Sequence, residues 1–202
     1  MKMNLPNKLT LLRMAMVPFL MVFITFDFGL GVWSRLVAAA FFALASFTDF
    51  VDGHLARKWN LVTNFGKFMD PLADKLMVFV ALISLCFVTG RDAKGNETEV
   101  IYGVCLLAAT VVVIFRELAV TSMRMVVNNT DGIVIAAGWL GKVKTCVQIL
   151  FILSALIEPM FSYDLLGGHV VSYVTMAAMT VMTLWSGLVY FKGYWKYINP
   201  SV

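Results

Sequence analysis

Four carboxylates, Asp49, Asp52, Asp70 and Asp74, stand in the pattern D-x-x-D-G-x-x-A-R-x8-G-x-x-x-D-x-x-x-D, within sequence apolar enough to lie in a bilayer. An ionised acid at the centre of a membrane helix costs about 2.5 to 3.5 kcal/mol on insertion scales, so a group of four needs a chemical reason. Asp49 and Asp52 are spaced i, i+3 and Asp70 and Asp74 i, i+4, so each pair shares one face of a helix. Brought together without a counter-charge, the four would repel one another and take up protons. A divalent cation removes the conflict. Ligation by oxygen alone suits Mg2+ or Mn2+, and no His or Cys stands at the spacing that zinc would want. Gly53, Gly66 and Ala56 leave the surroundings open to a ligand, and the planar guanidinium of Arg57 suits phosphate. The residues therefore read as a metal and pyrophosphate site. Two other readings stay open at this point: an ion-pair network that only holds helices together, and the pathway of a cation carrier.

The elements that position such a site must be membrane helices. The chain has 202 residues, 60% hydrophobic and 14% charged, against roughly 25% charged in a soluble domain. No polar linker divides it, so one domain over 1–202 is expected. Lys2 and Lys8 precede an apolar run as in a signal peptide, but no small-residue cleavage pattern follows, and a retained first helix is expected. Cys86, Cys105 and Cys146 lie in apolar runs without C-x-x-C spacing, which argues for packing roles and against a disulfide framework. The net charge of +4 matches the cations that cytoplasmic loops of membrane proteins collect, and no nucleic-acid partner is expected.

Apolar runs predict an all-α, six-helix transmembrane bundle, with helices near 7–30, 33–58, 68–90, 98–126, 133–158 and 168–196. Of the 16 Lys and Arg residues, all but Arg35, Arg91 and Lys94 fall on the side of the two termini, which the positive-inside rule makes cytoplasmic. Charge also invades one end of each of the first five helices: Arg13, then Asp49 to Arg57, Asp70 to Lys75, Arg116 to Arg124, and Lys142 with Lys144. With alternating direction these ends meet, so five helices are expected to build one polar chamber open to the cytoplasmic leaflet.

The segment Asp49 to Asp74 resembles, at all eight specified positions, the signature of the CDP-alcohol phosphotransferase family. The resemblance implies a six-helix bacterial inner-membrane enzyme, with the active site and both termini cytoplasmic, that uses Mg2+ or Mn2+ and forms a homodimer. It implies that Asp49, Asp52 and Asp70 hold metal, and that Asp74 is the base for the acceptor hydroxyl and also touches metal. Asn7, Thr10, Gly53, Ala56, Arg57, Thr63 and Gly66 are the positions it assigns to the CDP-lipid.

The segments Asn4 to Pro18, Arg116-Glu117-Leu118 with Thr121, Ser122 and Arg124, and Gly141 to Thr145 with Gln148 resemble the members that use glycerol 3-phosphate as acceptor. Arg116, Arg124, Lys142 and Lys144 then form the expected glycerol-phosphate site, since cations with one nearby carboxylate, Glu117, call for an anion. The expected reaction joins CDP-diacylglycerol and sn-glycerol 3-phosphate to give phosphatidylglycerol phosphate and CMP. Related members that make cardiolipin or phosphatidylinositol phosphate are the nearest alternatives. Arg116 with Glu117 also reads as a structural pair, and the four cations as attraction to lipid headgroups. His54 and His169 read as incidental. Trp33, Trp185, Trp195, Tyr173, Tyr190, Tyr194 and Tyr197 read as interfacial anchors.

Overall fold

The computed structural model describes residues 5–26, 28–58, 64–92, 97–130, 139–161 and 169–198; at 5–7, 32, 49–58, 64–68, 70, 126, 128–130 and 196–198 it describes the backbone only. Six long helices account for nearly all of it: α1 (Leu5–Thr25), α2 (Val32–Lys58), α3 (Asn64–Asp92), α4 (Glu97–Thr130), α5 (Trp139–Ile157) and α6 (Val170–Ile198), with a short 3-10 turn at Glu158–Met160 after α5. Among the described residues there is no strand. Five of the helices carry apolar stretches long enough to cross a membrane, Lys8–Thr25, Pro71–Asp92, Glu97–Met125, Trp139–Met160 and Val170–Trp195. The second is the exception to the six expected spans. Its apolar part, Trp33–Thr48, is shorter because the acidic motif begins at the next residue.

Other boundaries moved for local reasons. Helix α1 stops at Thr25, not near 30, because Phe28, Gly29 and Gly31 adopt φ values of 50°, 72° and 54°, a left-handed conformation that ends a helix. Helix α3 begins at Asn64 and includes Pro71. Gly66 therefore lies in its first turn and not in a loop. Helix α5 begins at Trp139, several residues later than expected.

Helix α1 packs on α2 and α3, α5 on α2 and α6, and α4 on α3 and α6. The core is made of Leu20, Phe42, Leu82, Leu106, Phe151 and Leu156, with Ala38, Ala39, Ala81 and Ala109 between them. Small residues let helix backbones approach closely, which is how membrane helices associate when lipid is as apolar as the core. The outer surface is apolar too: Phe19, Phe47, Phe115 and Val174 are each at least 60% exposed, a surface that suits lipid and not water. Cys86 packs against the core, while Cys105 and Cys146 are exposed, contrary to the packing role expected of all three.

At one end of the bundle polar groups satisfy one another. Ser34 Oγ donates to the carbonyls of Phe23 and Phe26 at 2.8 and 2.9 Å, Arg91 donates to the Thr25 carbonyl at 2.8 Å, and Arg35 pairs with Asp92 at 2.9 Å. The buried Glu158 carboxylate accepts the backbone N–H groups of Val171 and Ser172, each at 2.6 Å, so it caps the orphan donors that open α6. His169, expected to be incidental, contacts Glu99 at 3.1 Å and stacks on Tyr102 with ring centroids 4.2 Å apart. These contacts tie the end of α1 to the start of α2 and the end of α3, and, in a second set, the end of α5 to the starts of α6 and α4.

Candidate active site

The opposite end carries the motif. Asp49 and Asp52 lie one turn apart in the last part of α2, and Asp70 and Asp74 one turn apart near the start of α3. Counted along the helices, Asp52 stands six residues from Lys58, the last of α2, and Asp70 six from Asn64, the first of α3, with Asp49 and Asp74 nine and ten residues from the same ends. At about 1.5 Å per residue this gives two matched depths, about 9 Å and about 14 Å from the helix ends. Since Arg35 and Asp92 join the other ends of α2 and α3, the helices run in opposite directions and both acid pairs lie toward the same end of the bundle. The side chains of Asp49, Asp52, Asp70, Arg57 and Asn7 lie outside the description, as does residue Thr63 entirely; Gly53 and Ala56 are in α2 and Gly66 is in α3.

Described side chains continue the site from Asp74 onward. Asp74 is half-buried. It acts electrostatically on both Lys75 and Lys144. Lys75 donates to the hydroxyl of Thr121, which in turn donates to the Glu117 carbonyl at 2.7 Å. Lys144 donates to the Glu117 carboxylate, and the same oxygen accepts from Arg116 Nη1 at 3.1 Å. Arg116 Nη2 reaches Ser186 on α6, and Arg124 Nη2 donates to the Tyr190 hydroxyl at 2.9 Å. Both guanidiniums also lie against the Tyr190 ring, 5.4 and 5.0 Å from its centroid.

Three of the four expected acceptor cations are thus brought together, and Lys75 joins them. Lys142 is not part of this contact set. It is exposed, whereas Lys144, two residues on and about 200° round the helix, is buried at 6%. Arg116 and Glu117 do form the pair that was one reading of them, but the carboxylate is shared with Lys144. On α1, Thr10 and Arg13, one turn apart, are each 1% exposed and face the bundle. Arg13 stands among Met16, Phe41, Ala45 and Met77.

The polar end is also a six-helix structure, not a five-helix one, since α6 supplies Ser186 and Tyr190. Tyr190 and Tyr194 are 7% and 2% exposed, so they are interior residues and not interfacial anchors; Trp33, Trp185 and Trp195 are exposed as expected. A signal for this was present: Thr183, Ser186, Tyr190 and Tyr194 recur at helical spacing.

What the site can do follows from its unmet donors. Arg116 Nε and Arg124 Nε are buried without an acceptor among the described residues, as is Gln148 Nε2 one turn beyond Lys144. Among the described side chains, Lys75, Arg116, Arg124 and Lys144 stand with the carboxylates of Glu117 and Asp74. Buried cationic donors without an acceptor suit an anion with several oxygen acceptors. Carboxylate oxygens are the donors that Mg2+ or Mn2+ takes, together with water and phosphate oxygens; of the four motif acids only the Asp74 side chain is described, and among the described residues no three His, Cys, Asp or Glu side chains come together as a metal site.

The chain matches the family model described as CDP-alcohol phosphatidyltransferase over residues 3–185. It is 41% identical over 207 residues to a CDP-diacylglycerol--glycerol-3-phosphate 3-phosphatidyltransferase of Bacillus subtilis, covering 98% of each chain. It is 34% identical over 197 residues to the protein of that name from Yersinia enterocolitica, covering 97% of each. A relative so named from Salmonella choleraesuis is 35% identical over 191 residues, 94% of each. With the eight signature positions carried on α2 and α3 of an all-helical membrane bundle, the chain belongs to the CDP-alcohol phosphatidyltransferase family.

Proposed function

We propose that this protein transfers the phosphatidyl group of CDP-diacylglycerol to sn-glycerol 3-phosphate, releasing CMP and forming phosphatidylglycerol phosphate. The observation that carries the acceptor assignment is the cluster of Lys75, Arg116, Arg124 and Lys144, of which Arg116 and Lys144 are buried, with a buried Nε–H on each guanidinium that has no acceptor among the described residues. A phosphate monoester supplies negative charge together with several acceptor oxygens. Serine is a zwitterion of net charge zero, and an uncharged alcohol brings no charge.

In this reading the acceptor phosphate sits on the cations, and its free hydroxyl is directed toward Asp74. The hydroxyl oxygen forms a bond to the phosphatidyl phosphorus as the bond from that phosphorus to the CMP oxygen breaks. CMP leaves with the electron pair and Asp74 takes the hydroxyl proton. Asp49, Asp52, Asp70 and Asp74 would hold the divalent metal, Mg2+ or Mn2+, whose charge offsets that of the pyrophosphate. Thr10, Asn7, Gly53, Ala56, Arg57, Thr63 and Gly66 are assigned to the donor headgroup, whose acyl chains stay in the leaflet. We place this end of the bundle and both termini at the cytoplasmic face of a bacterial inner membrane, where cations concentrate. The assembly carried by the family resemblance is a homodimer.

The test is CMP release by the reconstituted protein, with CDP-diacylglycerol, glycerol 3-phosphate and Mg2+ or Mn2+. Turnover with inositol phosphate or phosphatidylglycerol but not glycerol 3-phosphate would reassign the acceptor. Metal flux across sealed vesicles with no CMP from any acceptor would move the protein to the carrier class.

A further inference from the structure

We infer that Tyr190 is a positioning residue for the acceptor phosphate, an inference that rests on the acceptor assignment above. Arg116 and Arg124 are eight residues apart on α4, and helix geometry alone sends their side chains about 80° apart around the axis. Both nevertheless converge on one ring of α6, with guanidinium carbons 5.4 and 5.0 Å from the Tyr190 centroid. Two like charges so placed repel each other. The negative face of an aromatic ring attracts both, and it does so without using their N–H donors.

The rest of each guanidinium is held from its far side. Arg116 is fixed by Glu117 and Ser186, and Arg124 by the Tyr190 hydroxyl at 2.9 Å. Each also carries a buried Nε–H with no acceptor among the described residues. The ring thus gathers two unspent donors into one region. A phosphate monoester, with three terminal oxygens, is the ligand class that takes both.

Tyr190 is itself fixed. It is 7% exposed and stacks on Tyr194 with centroids 6.2 Å apart. Gly187, one turn before it in register with Ser186, lets Arg116 lie against α6: a Cβ there would come within 3.1 Å of Arg116 Cγ. A residue serving only to fill the bundle would not need a hydroxyl bonded to one arginine and a ring in contact with two.

The experiment compares Tyr190→Phe and Tyr190→Leu in the full-length, detergent-purified protein. Tyr190→Phe keeps the ring under both arginines and loses the hydrogen bond from Arg124, and should raise KM for glycerol 3-phosphate about threefold. Tyr190→Leu loses both and should raise it about tenfold or more, with kcat within about threefold and KM for CDP-diacylglycerol within about twofold of wild type. Thermal stabilisation by glycerol 3-phosphate, weakened in Tyr190→Phe and lost in Tyr190→Leu, reads the same positioning without turnover. Wild-type protein that is neither stabilised by nor active with glycerol 3-phosphate overturns the acceptor assignment and this inference with it. Wild-type turnover with an unmoved acceptor KM in Tyr190→Leu, or equal rises for donor and acceptor, overturns the positioning role alone. If Tyr190→Leu does not fold, Tyr190→Phe decides: an unchanged acceptor KM overturns the proposal.

Discussion

Lys144 of α5 and Glu117 of α4 form an ion pair with side chains only 7% and 12% exposed, and the carboxylate oxygen that receives the ammonium also receives Arg116. One anion therefore stands between two buried cations. Removing one member of a buried pair leaves an uncompensated charge, which costs about 3 to 5 kcal/mol. Glu117→Gln should lower the unfolding free energy of the purified protein by an amount in that range, read as a lowered thermal midpoint. Added glycerol 3-phosphate should restore part of the loss by supplying negative charge from outside the chain.

Asp74 stands beside Lys75 at the junction of the acidic motif and the cation cluster. A positioned general base contributes about 10²- to 10⁴-fold. Asp74→Asn should reduce CMP release by at least about 100-fold while leaving the binding of CDP-diacylglycerol within a few-fold, as measured by titration of the labelled donor. Near-normal turnover in this variant would assign the base elsewhere.

The cations should separate by burial. Charge-assisted hydrogen bonds contribute about 1.5 to 3 kcal/mol, so Arg124→Ala should raise KM for glycerol 3-phosphate by about 10- to 100-fold. Lys142→Ala, at an exposed position next to the cluster, should raise it by less than about fivefold. A pair of saturation curves per variant, one for each substrate, distinguishes this from a donor-side effect.

Chelation should abolish turnover without unfolding. Treatment with EDTA is expected to stop CMP release while the helical circular dichroism signal stays, and Mg2+ or Mn2+ should restore the rate. Loss of helix on chelation would make the metal structural.

The far end should respond in stability and not in chemistry. Glu158 caps α6 through two backbone N–H groups at 2.6 Å, and losing a cap costs about 1 to 2 kcal/mol. Glu158→Ala should lower the melting temperature and leave KM for both substrates unchanged.

The sequence by itself determined whatever depends on neighbours along the chain. Helical periodicity put Asp49 with Asp52 and Asp70 with Asp74 on single faces. Apolar runs marked the six helices, and the eight motif positions marked the family. Each of these is set within a turn or two of helix, so no packing need be known. Tertiary structure alone decided that Lys144 and not Lys142 enters the cluster, that Glu117 is shared, and that Tyr190 lies under two arginines 66 and 74 residues away. Those outcomes depend on how each helix is rotated about its axis when it packs, which buries one residue and exposes its neighbour two places on. The Tyr190 stripe on α6 was visible as a pattern, but its partner surface was not, because contacts between helices far apart in sequence leave no periodic trace in either one.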